Sequence, residues 1–192
     1  MYTGAILAGG LGLRMGQPKE GVVMPDGLKM IEHVIKPLSQ LCQKIVIVGD
    51  CRGFLIPNQT NFIALPDDPP GRGPLSAIAT LLKSRIDQDG YLVAACDQPF
   101  LTADLLRLLL GEIPTLPRIF KPENDEMLAP FPGYYPVCHL SKIMNELESG
   151  EYSICNVIQK SFETVSLPRE GKQIIRNINT PNDLPKFRDS GM

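Results

Sequence analysis

Apolar residues recur along this chain first in short unbroken runs and then at helical spacing, and the two patterns alternate. Tyr2 to Ala8 is an apolar run that predicts a buried strand ending at paired glycines. Val22-Val23-Met24 and Leu28-Lys29-Met30 flank Pro25-Asp26-Gly27, which predicts a short hairpin. Ile31, Val34, Ile35, Leu38 and Leu41 then fall on one helix face, with Pro37 expected to kink or shorten the helix. Ile45 to Val48 is a β-branched run suited to a fully buried strand, and Phe62 to Leu65 is a weaker one. Pro66 to Pro74 is too rich in proline and glycine for a helix or strand interior. It predicts a shaped loop with Pro74 near the first turn of a helix from Leu75 to Arg85. Tyr91 to Ala95 is a third strong strand and runs directly into Cys96-Asp97-Gln98-Pro99. Thr102 is suited to cap a helix through Leu110, with Asp104 in its first turn.

This alternation predicts a parallel, helix-covered sheet for the first half of the chain. Beyond Pro114 the pattern changes. Ile119-Phe120-Lys121 and the stretch Met127 to Val137, with Pro132-Gly133 inside it, read as antiparallel ribbons. Helices are expected from about 139 and 153, then a strand near Ile174-Ile175, then a short last helix capped by Thr180. No internal repeat or domain-separating linker is visible. One domain over residues 1–192 is expected, its sheet mostly parallel with a small antiparallel ribbon in the C-terminal half.

Composition narrows the function classes. With 192 residues, 43% of them hydrophobic and 21% charged, the chain has the make-up of a soluble globular protein. A net charge of −2 and the absence of a long basic run argue against nucleic acid as a partner. No apolar segment approaches membrane-spanning length, and the start lacks the pattern of a secretory signal, so a cytoplasmic location is expected. The five cysteines, at 42, 51, 96, 138 and 155, are irregularly spaced, which fits reduced thiols better than a disulfide frame or a zinc site. The two histidines, His33 and His139, stand without neighbouring ligands.

The candidate chemistry lies in three loops that follow strands. From Gly9 to Lys19 the chain carries two cations, Arg14 and Lys19, and no acid. Glycine backbone can approach an anion closely, a guanidinium can fork onto a phosphate edge, and an ammonium adds a mobile point charge. The dinucleotide fingerprint is excluded because Met15 stands where its last glycine should be, and a Walker loop because Gln17 follows Gly16. In open α/β sheets ligands gather outside the carboxyl ends of parallel strands, so these cations should meet Asp67 and Asp97 from the other two loops. Asp97, at the mouth of a buried strand, is the candidate metal ligand, with a simple turn aspartate as the alternative. Asp67 and Asp68 are adjacent, and Asp67 is preferred for nucleotide contact over a role in an Asx turn. No nucleophile–base pair stands out, which suits a phosphoryl-type transfer resting on alignment and charge neutralisation.

Four motifs together resemble a known family. They are Leu7-Ala8-Gly9-Gly10 with Arg14-Met15-Gly16 and Lys19; Pro66-Asp67 with Gly71, Gly73-Pro74-Leu75; Cys96-Asp97-Gln98-Pro99-Phe100-Leu101; and Asn177-Ile178-Asn179-Thr180-Pro181-Asn182-Asp183-Leu184. In order and spacing they resemble the molybdenum cofactor guanylyltransferases, within the wider nucleotidyltransferases of Rossmann-like, three-layer α/β/α fold. The resemblance implies GMP transfer from GTP to molybdopterin-bound molybdenum cofactor with release of pyrophosphate, assisted by Mg2+. Leu7, Ala8, Gly9 and Gly10 would meet the nucleotide, and Arg14 and Lys19 its phosphates. Asp67 would contact the nucleotide, Asp97 would hold the metal, and Asn177 and Asn179 would lie on the acceptor side or near the metal. Residues of about 1–112 would form the nucleotide half and about 113–192 the acceptor half. Molybdoenzyme chaperones or other cofactor-biosynthesis proteins are the macromolecular partners the resemblance implies. Two departures bear on the acceptor: Ser76 stands where a small apolar residue is common, and no arginine stands beside Tyr152 in Gly150-Glu151-Tyr152-Ser153. The alternatives are a cytidylyltransferase, another small-acceptor nucleotidylyltransferase acting on a sugar phosphate or phospholactate, and a non-catalytic cofactor-binding or chaperone module.

Overall fold

The first strand is fixed by apolar side chains on both of its faces. In β1 (Tyr2–Leu7), Ala5 points to one side of the sheet and Ile6 to the other, and both are wholly buried. The same alternation runs through β2 (Cys42–Val48), where Ile45 and Ile47 oppose Val46 and Val48. In β4 (Gly90–Ala95), Leu92 and Ala94 oppose Tyr91 and Val93. A strand buried on both faces needs helices on both faces, which is the layered arrangement expected from the sequence. The computed structural model describes residues 2–9, 15–68, 72–121 and 128–184.

One face is covered by α1 (Met30–Ser39) and α3 (Ala103–Arg107), through Ile31, Val34, Leu38, Leu105 and Leu106. The other is covered by α2 (Pro74–Ser84), α4 (Leu140–Glu148) and α5 (Ile154–Gln159), through Leu75, Ile78, Leu81, Ile143, Ile154 and Val157. With β3 (Phe62–Leu65), β5 (Arg118–Lys121), β6 (Ala129–Pro136) and β7 (Glu163–Ser166), the sheet has seven strands in the order β3-β2-β1-β4-β6-β5-β7. The first four run parallel, with Leu7 level with Val48 and Ala95, and Val48 level with Leu65. β6 lies antiparallel to both β4 and β5, and β7 returns parallel to β5. Among the described residues no helix is long and apolar enough to cross a membrane.

Several expectations are met in place. Thr102 accepts a hydrogen bond from Leu105 N–H, Pro74 occupies the first turn of α2, and the hairpin is present as a bridge between Val23 and Lys29. The Thr180 cap is also there, with Asp183 accepting from the Thr180 N–H at 2.9 Å, but it opens only the short 3₁₀ turn Pro181–Asp183. Pro37 lies inside α1, which ends two residues later, at Ser39. α3 stops at Arg107, short of Leu110, because the N–H groups of Leu108, Leu109 and Leu110 each turn to the carbonyl three residues back.

The strand expected near Ile174-Ile175 is not formed. Those residues belong to the end of the helical turn α6 (Gly171–Ile174), where two successive apolar side chains can both reach the α1/α3 side of the core. The strand that does close the sheet is β7, whose residues alternate between half-buried and exposed in the manner of an edge.

Gly49 lets the exits of β1 and β2 meet. Its φ is +109°, and a Cβ there would lie 1.8 Å from the carbonyl oxygen of Ala8. A G49A variant is therefore expected to lose more than about 3 kcal/mol or to fail to fold. A G27A variant, where φ is +88° and the space around the glycine is open, should lose only about 1–2 kcal/mol. Urea denaturation of the two variants beside the parent checks the difference.

His139 gives a second test. It is 5% exposed and its Nε2 has no hydrogen-bond partner among the described residues. Burial first, and Lys142 second, push its pKa below the ordinary imidazole value. As pH falls, the unfolded chain takes up this proton before the folded one does. The contribution is therefore full above about pH 6.5 and is lost as pH falls through the folded value. Thermal unfolding measured from pH 7.5 to 5 should show a falling Tm, and the fall should be smaller in H139L.

Candidate active site

The sheet reverses direction between β1 and β4. From β1 the chain builds outward through β2 to β3, then crosses back to place β4 on β1's other side. Such a switch point opens a crevice at the carboxyl ends of its two strands. Hydrogen bonds just beyond the strands keep these ends level: Ala8 N–H donates to the Val48 carbonyl at 2.8 Å, and Cys96 N–H to the Leu7 carbonyl at 3.1 Å. Leu7 and Ala8 are thereby tied into the sheet, and Gly9, which is exposed, is the first residue past it.

Lys19 enters this crevice from the β1 side. It begins a 3₁₀ turn, Lys19–Gly21, which is pinned by its buried neighbour: one carboxylate oxygen of Glu20 accepts the Gly53 N–H at 3.0 Å. Asp97 enters from the β4 side. It sits on a turn held by the Gln98 amide, whose oxygen accepts Ala95 N–H and whose nitrogen donates to the carbonyls of Phe131 and Ile175. The C-terminal segment is stitched to the same turn by Ile178 N–H, which donates to the Asp97 carbonyl at 2.8 Å. That bond delivers Asn179, whose own N–H and that of Thr180 are fixed by the Asp183 carboxylate.

The three polar side chains converge. Lys19 Nζ donates to Asp97 Oδ2 and to Asn179 Oδ1, each at 2.7 Å. Beneath them lies a separate apolar cluster of Met15, Val22, Met24, Met30, Phe100 and Ile178, contributed by the hairpin, the two strand-end loops and the C-terminal segment. Asp97 is 8% exposed, and its Oδ1 is buried with no hydrogen-bond partner among the described residues. A buried carboxylate oxygen left open in this way is costly unless a donor or cation meets it. The residue therefore fits a divalent cation. No group of three or more His, Cys, Asp or Glu among the described residues could hold a metal by itself, so such an ion would complete its shell with ligand oxygens and water.

Of the other residues singled out in the sequence, Asp67 lies half-buried in the loop after β3, on the same strand-end face, with Thr80 Oγ1 3.5 Å from its Oδ1. Asn177 is exposed, and its side chain makes no hydrogen bond among the described residues. Gly10 and Arg14 lie outside the described residues. Two features of the site were not read from the sequence. The role of Gln98 was missed because its partners Phe131 and Ile175 lie 33 and 77 residues away. Glu20 was missed although a lone acid directly after Lys19 was a visible signal. The thiols nearby are not nucleophiles: burial raises the pKa of Cys96 well above its ordinary value and that of Cys51 to about 11.

Comparison with known proteins shows the family of the chain. Residues 4–165 match the family model described as the MobA-like NTP transferase domain. A molybdenum cofactor guanylyltransferase of Shewanella baltica is 31% identical over 191 residues, covering 95% of this chain and 93% of that protein. A protein of Clostridium perfringens named a probable molybdenum cofactor guanylyltransferase is 33% identical, covering 97% of this chain and 94% of its own. In fold, the chain is similar to the crystal structure of molybdopterin-guanine dinucleotide biosynthesis protein A from Archaeoglobus fulgidus, with a TM-score of 0.76, 24% identity and coverage of 99% and 98% of the two chains. A 2-C-methyl-D-erythritol 4-phosphate cytidylyltransferase from Francisella tularensis shares the fold at a TM-score of 0.71 and 13% identity. The parallel sheet, the switch-point crevice and these matches together make this chain a member of the MobA-like NTP transferase family of nucleotidyltransferases.

Proposed function

We propose that this chain transfers GMP from GTP to the terminal phosphate of the molybdopterin-bound molybdenum cofactor, yielding the guanine dinucleotide form and pyrophosphate. The observation that carries this reading is the Asp97 carboxylate at the switch point, with one oxygen on Lys19 and the other buried with no partner among the described residues. The names of the relatives support guanine as the base and the molybdenum cofactor as the acceptor. Nucleotidyltransferases of this family generally use a divalent metal, and Mg2+ is the ion proposed here.

In the proposed reaction an anionic oxygen of the acceptor's phosphate attacks the α-phosphorus of GTP. One P–O bond forms there, and the bond from that phosphorus to the oxygen bridging the β-phosphate breaks. Pyrophosphate leaves with the electron pair. The attacking oxygen already carries charge, so no protein base is required. The chain's task is then to align two polyanions and neutralise them. Lys19, and Arg14 from the glycine-rich loop, would take phosphate oxygens. Gly9 and Gly10 would allow close backbone approach, with Leu7 and Ala8 forming the floor, and Asp67 would contact the nucleotide. Asp97 would anchor Mg2+, which when bound supplies positive charge against the phosphate oxygens. Asn179 would keep Lys19 aimed when the lysine exchanges one of its partners for phosphate. The nucleotide would be held by the half of the chain up to about residue 112 and the acceptor by the half from about residue 113 onward.

Two measurements test this. D97N keeps the volume of the side chain but removes its charge. Pyrophosphate release from GTP in the presence of acceptor and Mg2+ should fall by about 100-fold or more in that variant, with the circular dichroism spectrum unchanged. A near-parental rate would mean that the metal is anchored elsewhere. In thermal-shift titrations with Mg2+, GTP should raise Tm more than ATP, CTP or UTP do, and a preference for CTP would replace guanylyl with cytidylyl transfer.

A further inference from the structure

Arg176 is a cation held beside the crevice with no acid assigned to it. Its guanidinium carbon lies 4.4 Å from the centre of the Phe100 ring, and Phe100 itself is only 6% exposed. No carboxylate among the described residues stands within ion-pair distance of it. Lys19, by contrast, is engaged with Asp97, Arg118 with Glu163, and Lys160 with Glu146.

The backbone around Arg176 is anchored on both sides to the turn that carries Asp97. The Ile175 carbonyl accepts from Gln98 Nε2 at 2.9 Å, and Ile178 N–H donates to the Asp97 carbonyl at 2.8 Å. Arg176 is therefore suspended between two clamps on residues 97 and 98, on the segment that also brings Asn179 to Lys19. A guanidinium held over an aromatic ring keeps N–H donors that can grip a phosphate in a fork. Arg176 is partly exposed, so a ligand can reach it.

Joining two phosphate esters requires charge on both sides of the new bond. Lys19 and Arg14 serve the triphosphate in the reading above, which leaves the incoming phosphomonoester in need of a cation. We propose that Arg176, held over Phe100, binds the terminal phosphate of the acceptor and sets the preference for a phosphorylated acceptor. This deepens the guanylyltransferase reading and rests on it.

The test uses R176M, which keeps an apolar cover on Phe100 without the charge, and R176K, which keeps the charge without the fork. In steady-state assays R176M should raise KM for the pterin phosphate acceptor by about tenfold or more, while KM for GTP stays within about twofold and Tm is unchanged. R176K should recover part of the loss. Inorganic phosphate, used as a competitor against the acceptor, should inhibit R176M more weakly than the parent. Equal rises in both KM values, or an unchanged acceptor KM, would overturn the role of Arg176. The two readings fail separately. A parent protein whose Tm does not respond to GTP and Mg2+ removes the transferase reading itself. A normal response combined with an unmoved acceptor KM in R176M removes only this proposal.

Discussion

One ammonium group ties three distant stretches of the chain together. Lys19 Nζ reaches a carboxylate at position 97 and an amide at position 179, so the turn at Lys19, the exit of the central strand and the C-terminal segment share one small volume. The pairing is nearly dry, with side-chain exposures of 19% for Lys19 and 11% for Asp97. Charges held this far from water must be well matched, because desolvation of each ion costs several kcal/mol. The surroundings supply that match through the Gln98 clamp, the Ile178 hydrogen bond and the apolar cluster under Phe100. Loosening any of these would move the Asp97 carboxylate and the Asn179 amide together, since both are tied to the turn at residues 97 and 98.

The sheet provides the rigid reference for this arrangement. β1 and β4 are buried on both faces, and their register is carried past the strand ends by the Cys96–Leu7 bond. Polar groups at such ends are positioned by packing rather than by loop flexibility, which suits chemistry that works by alignment. The open Asp97 oxygen is, with one oxygen of Glu20, a buried acceptor that this order leaves unanswered among the described residues of the site, and the most informative departures from satisfied packing tend to be functional.

Much of this was legible in the chain, for identifiable reasons. β1, β2 and β4 announce themselves because burial on both faces demands unbroken apolar runs. Asp97 stands out because its charge directly follows such a run, and Lys19 because it closes a segment from Gly9 with two cations and no acid. β7 was not legible: Glu163–Ser166 is a short, half-exposed edge whose composition hardly differs from a loop, whereas the Ile174-Ile175 pair imitates a strand. The sequence placed Lys19 and Asp97 on opposing halves of a site but could not show that they touch. Nor could it show that Glu20 is buried, since that follows from the approach of Gly53, more than thirty residues away. Asn179 entered through family resemblance, and only tertiary structure connects it to the lysine.

The topology also orders events in time. Because the strand that carries Asp97 seats beside β1, and because Asn179 arrives after every strand of the sheet, no growing polypeptide can close the three-way contact before residue 179 has been synthesised and folded back. Partly made chains thus hold Lys19 without its Asn179 partner, and not the assembled crevice. The three-way contact is a completion mark, formed only when residues 19, 97 and 179 have met.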